Sequence, residues 1–373
     1  MERSKTVKGI QWATLVVVLL LWVYPASVYI GWKKEVNAVQ YFAGHGEVKS
    51  TWEVPEKYDG LLEKFSFVDD HYFRRCKTLR ISSVGDEDAA AAALDAFKHL
   101  DALDLDGVAL TSKLMSRVAE LDGLGVLVIR NTTFPGEYLK YVGRLKNLDT
   151  LMIADADGVR DVDLAHLSAL SRLEWLRMDN SSVSGTGFAS LRHISTLEVL
   201  SLSEAPLNDA GLREIAALPS VEFLLLGDAK FVGPGLRELK SLETLRWLDV
   251  AGTSISNDDL EYLSEFPKLK YLDLRRTDVS DEGLEHLAKI PTLSSLNLKE
   301  TRVSGLGLGF FKQSIYVDLR EAPVSEDDLK TVVEEFLPGG GRLIVSPGVL
   351  TGDWWRSVGA DYSPREIFIS VEE

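Results

Sequence analysis

Apolar residues recur along most of the chain with a period of 24 residues. Within one period they are spaced by three over the first half and by two over the second half. One such set is Leu260, Leu263, Phe266, Leu269, Leu272 and Leu274. Spacing of three predicts one face of a short helix, and spacing of two predicts one face of a strand. Each period therefore predicts a helix followed by a strand, with both apolar faces turned toward one core.

The second apolar strand residue of each period marks the register of the repeat. These anchor residues are Leu79, Leu103, Leu127, Leu151, Leu176, Leu200, Leu224, Leu248, Leu272 and Leu296, followed less regularly by Val317 and Leu343. One unit cannot cover its own apolar face, whereas stacked units can, and their strands then form a parallel sheet. The pattern predicts an α/β solenoid over residues 78–345.

A turn follows each strand, and its residues are also repeated. The position five residues after the anchor is usually small, as at Thr253 and Thr277, which indicates a tight turn. Polar residues such as Ser280 then precede acidic ones. These predict helix N-caps with carboxylates in the first turn, where the helix dipole favours them.

The full consensus is L-x-x-L-x-L-x-x-T-x-V-S-D-x-G-L-x-x-L. It is carried by Leu269, Leu272, Leu274, Thr277, Val279, Ser280, Asp281, Gly283, Leu284 and Leu287. This pattern resembles the leucine-rich repeat, in the bacterial, ribonuclease-inhibitor-like form with 24-residue repeats. The resemblance covers about Leu79 to Val345 and implies a curved parallel β-sheet with outer helices. It leaves the function open, because such repeats bind many unrelated partners.

A stretch without charged residues precedes the repeats. Gly9–Trp32 contains 24 uncharged residues, enough for a helix that crosses a bilayer core of about 30 Å. We predict a transmembrane signal anchor over residues 9–32. A cleaved signal peptide is the alternative, although Tyr24 occupies a position where its cleavage site needs a small residue; a buried core helix is the third interpretation.

The flanking charges predict the orientation of the anchor. Arg3, Lys5 and Lys8 lie in a short basic N-terminus, residues 1–8, and outnumber Lys33 and Lys34 after the span. This bias favours a cytoplasmic N-terminus. The prediction is a single-pass protein of the plasma (inner) membrane with an extracytoplasmic repeat domain.

Both ends of the repeat array need caps, because terminal repeats would otherwise expose apolar faces. Residues 33–77 are predicted as a juxtamembrane segment and N-terminal cap, with residues 41–50 as a flexible join. Residues 86–97 predict a helix with an acidic start. Residues 346–373 are predicted as the C-terminal cap, in which Trp354 and Trp355 either close the core or form a binding hook.

Composition narrows the function classes. The net charge is −16, and residues 1–34 sum to +4, so the remainder carries −20. An acidic body of this size repels phosphate backbones, which argues against nucleic-acid binding. One cysteine, Cys76, excludes an intramolecular disulfide. We find no catalytic constellation, metal site or cofactor motif, and predict a non-enzymatic protein.

A candidate binding surface follows from strand geometry. Residues one before, one after and three after each anchor point away from the core and would line the concave face of a curved solenoid. The predicted binding residues are Trp175, Arg177, Asp179, Phe223, Trp247, Asp249, Tyr271, Asp273, Arg275, Asn297, Lys299, Tyr316, Asp318 and Arg320. Aromatic rings beside Arg and Asp are typical of binding hot spots. Rings in one column can also simply stack on each other.

The leading interpretation is a membrane-anchored protein that binds another protein or a cell-envelope polymer through this face. A structural spacer of the envelope, without a dedicated ligand, is a second. An intracellular adaptor that selects clients for an enzyme is a third, and it requires a cytoplasmic repeat domain.

Overall fold

A computed structural model describes residues 24–44, 47–53, 75–83, 85–332, 341–346, 349 and 367–371. The chain divides into two compact units. The first comprises Met1–Thr132 with Arg144–Leu148, and the second comprises Thr133–Gly143 with Asp149–Glu373.

The first unit contains three α-helices and four strands among its described residues. In chain order these are α1 (Tyr24–Ala43), β1 (Val48–Glu53), β2 (Arg75–Ile81), α2 (Glu87–Leu94), β3 (Ala102–Asp106), α3 (Ser112–Val118) and β4 (Val126–Arg130). Strands β2, β3 and β4 are parallel neighbours, and β1 pairs antiparallel with the outer edge of β2. The antiparallel strand covers the edge that the repeats would otherwise leave open.

Helix α1 packs against this edge through its C-terminal half. Phe42 is fully buried, and the buried Glu35 accepts a hydrogen bond from the Cys76 backbone amide at 3.0 Å. The Tyr41 hydroxyl donates to the carbonyl oxygen of Asp86 at 2.8 Å. The predicted flexible join over residues 41–50 is therefore wrong at both ends, because α1 continues through Ala43 and β1 begins at Val48.

The second unit repeats a strand and a helical connection. Its helical elements are 3₁₀ Gly136–Tyr138, α4 (Leu139–Val142), 3₁₀ Asp161–Ala169, 3₁₀ Thr186–Leu191, α5 (Asp209–Ala216), 3₁₀ Gly233–Ser241, 3₁₀ Asp258–Glu265, α6 (Asp281–Leu287), 3₁₀ Leu306–Phe310 and α7 (Glu326–Thr331). Its strands are β5 (Thr150–Ile153), β6 (Trp175–Arg177), β7 (Val199–Ser201), β8 (Phe223–Leu225), β9 (Trp247–Asp249), β10 (Tyr271–Asp273), β11 (Ser295–Asn297), β12 (Ile315–Asp318), β13 (Gly341–Val345) and β14 (Ile367–Val371).

The predicted register of the repeats is confirmed. Strands β5 to β14 of the second unit pair in parallel with one another in chain order, and the anchors lie side by side, as in Leu248 beside Leu272 and Leu272 beside Leu296. Val317 and Leu343 continue the same row despite their irregular spacing. All of these anchors are buried. The core is a stack of leucine layers, one layer for each repeat.

Many of the predicted helices are 3₁₀ rather than α. In the 3₁₀ helix Asp161–Ala169, buried Leu164 and Leu167 continue to Leu170 and Leu173 at a strict spacing of three. A helix with three residues per turn places such residues on one line, whereas an α-helix would rotate them away from the core.

A left-handed residue ends the strand segment of most repeats. It stands four positions after the anchor, and the non-glycine examples are Asn131, Asp155, Asn180, Glu204, Asp228, Arg276, Glu300 and Glu321. The next residue is the small one that the sequence predicted to be in a tight turn. The hydroxyls of Thr253, Thr277 and Thr301 each donate to the carbonyl three residues earlier, at 2.6–2.7 Å.

The Ser181 hydroxyl departs from the arrangement of these three threonines. Ser181 occupies the same position, but its buried hydroxyl oxygen has no hydrogen-bond partner among the described residues.

We expect Thr277→Val to lower the free energy of unfolding by about 1 kcal/mol, since a buried hydrogen bond is lost. Ser181→Ala should leave it unchanged or raise it, because no bond is lost there. Urea unfolding of both variants checks this, and equal losses would contradict the assignment.

Several predictions concern residues outside the described part. Residues 1–23, which hold most of the predicted span, and the Trp354–Trp355 pair lie there. Within the part of the chain that is described, no helix has both the length and the apolar character needed to cross a bilayer. In the predicted C-terminal cap, β14 extends the parallel sheet by pairing with β13.

Candidate binding surface

The candidate surface, called here the strand face, comprises the outward residues of the second unit between 175 and 320. They lie one before, one after and three after the anchors of β6 to β12. In β8, β9 and β11 the anchor is buried while both flanking residues are partly exposed. The predicted alternation of inward and outward side chains is thus present along these strands.

The aromatic side chains of the strand face form one row across the sheet. Trp247 stacks on Tyr271 with ring centroids 3.5 Å apart, and Phe223 lies tilted at 6.3 Å from Trp247. These three rings are half-buried, so the ladder that the sequence left as an alternative exists here. Trp175 and Tyr316 lie outside the ladder and are the exposed rings, at 46% and 37%.

The middle row of the strand face contains acidic residues that are mostly covered. Asp273 and Asp318 are only 3% and 6% exposed. In each case the arginine two residues later lies on the carboxylate: the Arg275 Nε is 2.9 Å from both Asp273 oxygens, and the Arg320 Nε is 3.0 and 3.1 Å from those of Asp318. The surface therefore presents guanidinium groups there, and not carboxylates.

Apart from Asp249, the remaining predicted polar residues are also paired within the chain. Exposed Arg177 bonds to Asp179, whose other oxygen accepts from the Ser201 hydroxyl at 2.6 Å. Asn297 donates to Asp273 at 3.2 Å, and Lys299 forms an ion pair with Glu321 at 2.8 Å. The Arg342 guanidinium lies 5.8 Å from the centre of the Tyr316 ring, a cation–π distance.

Local electrostatics follow from this packing. Burial, and then the negative charge of Asp273, raises the pKa of Tyr271 to about 12. The hydrogen bond to Asp273, ahead of the opposing effect of burial, raises the pKa of Arg275. Both side chains thus keep their protons across the physiological range, so this part of the surface carries fixed charge.

Asp249 is a carboxylate whose ionised form is disfavoured in the folded protein. Burial raises its pKa, and the nearby charges of Asp273 and Asp228 add to that rise, against the hydrogen bond from the Ala251 amide and the charge of Arg275. Because the folded pKa lies above the unfolded one, ionised Asp249 destabilises the folded state at neutral pH.

We expect Asp249→Asn to raise the free energy of unfolding at pH 7 by less than about 1 kcal/mol. The gain should vanish as the pH falls toward 3.8. Denaturant unfolding at both pH values checks the sign.

The first unit carries a polar network that the sequence did not single out. Arg80 on β2 bonds to Asp106 on β3, and Arg130 on β4 bonds to Asp104 on β3. Asn131 donates to Asp106 at 2.5 Å. The residues on these outward positions alternate in charge from strand to strand, and that alternation was the available signal.

Asp161 and Asp281 lie in the first turns of their helices, but their carboxylates bond to the following repeat. The Asp161 carboxylate accepts from the amides of Ser184, Gly185 and Gly187 at 2.9, 3.1 and 2.7 Å, and from the Ser184 hydroxyl at 2.8 Å. Asp281 accepts from the corresponding amides of Ser304, Gly305 and Gly307. Each aspartate thus joins two neighbouring repeats.

The strand face carries no arrangement suited to catalysis or metal binding that we can identify. Across the described ranges, no group of three or more His, Cys, Asp or Glu side chains could hold a metal ion. His166 is exposed on the 3₁₀ helix Asp161–Ala169, His193 is exposed in the turn after Leu191, and His286 is half-buried on α6. Cys76 is buried, and burial raises the pKa of its thiol to about 12. The arrangement of rings and paired charges is suited to contact with another molecule.

Two solved structures resemble this chain, and the first of them supports the same fold. An internalin (inlF) from Listeria monocytogenes strain 4b F2365 superposes with a TM-score of 0.51 at 16% identity, covering 85% of this chain and 94% of the internalin. The plant peptide hormone receptor RGFR1, solved in complex with RGF2, gives a TM-score of 0.42 at 15% identity, covering 76% of this chain and 46% of the receptor. No curated protein matches the chain in sequence.

The family comparison agrees with the geometry. A family model described as a leucine-rich repeat region matches residues 71–326, which is most of the chain and includes the anchors from Leu79 to Val317. The anchors from Leu79 to Val317, the parallel strands β2 to β12 and the repeated left-handed turn lie within this match. The chain belongs to the leucine-rich-repeat family.

Proposed function

We propose that this protein binds a protein partner through the strand face of its second unit and performs no catalysis. The observation that carries the proposal is the exposure of Trp175 and Tyr316 on that face. Large aromatic rings on a protein surface are favoured at binding hot spots, because they bury much area at small conformational cost.

The centre of the strand face is organised before any partner arrives. The Phe223, Trp247 and Tyr271 rings are held against one another, and Arg275 is held by Asp273. Side chains that are already ordered lose little entropy on association, so such a surface binds more tightly than a mobile one of equal area.

The test is loss of a partner by a variant that keeps the fold. The full chain in detergent would be used to capture partners from membranes of the source organism. Trp175→Ala combined with Tyr316→Ala should lose the captured partner or weaken its binding by about tenfold or more. These two rings are better targets than Trp247 or Tyr271, whose stacking supports the fold.

The matched control replaces exposed apolar residues outside the strands. Val162→Ala combined with Val232→Ala removes side chains that are 74% and 61% exposed. This variant should keep the partner. Equal capture by both double variants, with circular dichroism showing intact folds, would contradict the strand face as the binding surface.

We further propose that residues 9–32 anchor the protein in the plasma membrane with the repeats outside the cytoplasm. Support comes from the uncharged stretch in the sequence and from α1, which includes its residues from Tyr24 onward and packs within the first unit through Glu35 and Phe42. Alkaline phosphatase and green fluorescent protein fusions at the C-terminus test this. Phosphatase activity without fluorescence supports the orientation, and the reverse supports the intracellular adaptor.

A spacer role is the second candidate, and one observation favours it. Most charged groups of the strand face are paired within the chain, as in Arg275 with Asp273 and Arg320 with Asp318. A surface that satisfies its own charges needs no ligand. Failure to capture any partner that depends on Trp175 and Tyr316 would favour this role.

A further inference from the structure

The residues in the middle row of the strand face can be compared position by position, because the repeats are in register. In four repeats the side-chain oxygen one residue after the anchor accepts from the backbone amide two residues later. The pairs are Asp249 with Ala251, Asp273 with Arg275, Asn297 with Lys299 and Asp318 with Arg320, at 2.9–3.2 Å. The backbone geometry is therefore shared, and differences between the repeats lie in the side chains.

Asp249 differs from the other carboxylates in having no cation of its own. The Asp273 and Asp318 carboxylates each carry the guanidinium of the residue two positions later, but Ala251 stands at that position after Asp249. Asp228, nearby on the preceding repeat, is already paired with Arg276 at 2.7 Å. No ion pair to Asp249 occurs among the residues described.

Asp249 is itself only partly buried, so its carboxylate can be reached from outside. The residues three after the anchor, Gly227 on the preceding strand segment and Ala251 on its own, are both buried and carry no long side chain. A methyl group added at Gly227 would lie 3.6 Å from Asp249 Oδ1, in ordinary contact. On the opposite side lie the Phe223 and Trp247 rings. Trp247 is two residues away on the same strand and face, a rise of about 7 Å.

We propose that Asp249 receives an arginine side chain of the protein partner, which takes the place that Arg275 and Arg320 fill in other repeats. The planar guanidinium makes paired hydrogen bonds to a carboxylate, and its aliphatic part lies against the Phe223 and Trp247 rings. The inference rests on the proposed function and names the chemistry of its central contact. The partial burial that raises the pKa of Asp249 adds support, because an incoming cation would stabilise a carboxylate whose burial the Ala251 amide and the Arg275 charge only partly offset.

The experiment uses a library of random dodecapeptides displayed on phage, selected on the full chain in detergent. Selected peptides should share an arginine, and synthetic copies should bind about tenfold or more weakly to Asp249→Asn. Asparagine keeps the acceptor for the Ala251 amide, as Asn297 does for Lys299, so the fold is retained. Replacing the arginine of the peptide by citrulline should give the same loss on the parent protein.

A second variant supplies the cation from within the chain. Ala251→Arg recreates the Asp-x-Arg arrangement of β10 and β12 and should also weaken the peptides by about tenfold or more. Asp258→Asn, which removes an exposed carboxylate on a 3₁₀ connection, is the matched control and should leave binding unchanged. Thermal unfolding confirms that each variant is folded.

The outcomes separate the inference from the proposed function. Peptides that lose affinity with Phe223→Ala but bind Asp249→Asn and the parent equally would overturn the inference and leave the strand face as the binding surface. Both proposals fail if the selection yields no peptide. They also fail if every selected peptide binds the parent, Phe223→Ala, Asp249→Asn and Trp175→Ala with Tyr316→Ala equally well. Arginine-bearing peptides weakened by Asp249→Asn and by Ala251→Arg support both.

Discussion

Replacing Leu272 by alanine is expected to lower the free energy of unfolding by about 3–5 kcal/mol, the largest single effect that the structure implies. Leu272 is fully buried between Leu248 and Leu296 in the row of anchors. Truncation leaves a cavity with packed neighbours on both sides, and the stacked layers cannot close it without breaking strand pairing. Urea unfolding followed by far-ultraviolet circular dichroism measures the loss.

An exposed leucine in the same array is the control for this substitution. Leu306 is 44% exposed at the start of a 3₁₀ helix. Leu306→Ala should change the free energy of unfolding by less than about 0.5 kcal/mol. A loss at Leu306 as large as that at Leu272 would mean that the anchors do not form the core.

Replacing Asp161 by alanine should lower the free energy of unfolding by about 2–4 kcal/mol, because hydrogen bonds to a charged acceptor are lost and their amide donors are left without a partner. Asp161→Asn should cost less, since Asn257 at the equivalent position still accepts from the Ser280 amide at 2.9 Å. Chemical denaturation of the parent and both variants measures the order. Exposed Asp157→Ala in the same repeat is the control, with less than about 0.5 kcal/mol expected.

The contribution of Asp161 should also depend on pH. Burial alone would raise the pKa of this carboxyl, but the hydrogen bonds from Gly187 and Ser184 outweigh it and hold the pKa below the ordinary 3.8. The folded state therefore binds this proton less readily than the unfolded state. The stability it contributes is present above pH 3.8 and is lost as the pH falls through the folded pKa. The gap between the parent and Asp161→Asn should narrow over that acid range, and a constant gap would contradict this.

The repeat architecture could be predicted from the sequence because burial alone imposes it. Leu248, Leu272 and Leu296 recur at a fixed period, and a solenoid must place them side by side. The same period put Trp175 and Tyr316 on the outward side of their strands. These conclusions need only the alternation of side chains between the two faces of a strand and the stacking of repeat units.

Other features depend on contacts that no local pattern states. Asp281 looked like a carboxylate favouring its own helix, but its partners are amides in the following repeat, 23 to 26 residues later. The glycines in that repeat were the available signal: left-handed Gly305, with φ of 103°, turns its amide toward Asp281. Asp273 was predicted to face a partner, whereas Arg275 covers it. Which of two neighbouring charges remains exposed is decided by side-chain conformation.

The differences between repeats are as informative as the consensus. Ser181 lacks the hydroxyl hydrogen bond that Thr253 and Thr277 make, and Ala251 lacks the guanidinium that Arg275 supplies. The first difference bears on stability, and the second leaves the Asp249 carboxylate without an ion pair among the described residues of the strand face.

Site-directed photo-crosslinking in intact cells tests the central claim most directly. A benzoylphenylalanine would be placed at Trp175 or Tyr316 on the strand face, and at Val162 or Val232 outside the strands. The account predicts a discrete crosslinked protein from both strand-face positions and none from the other two. Crosslinking to the same protein only from Val162 or Val232, or to none from any position, would contradict the strand face as the binding surface.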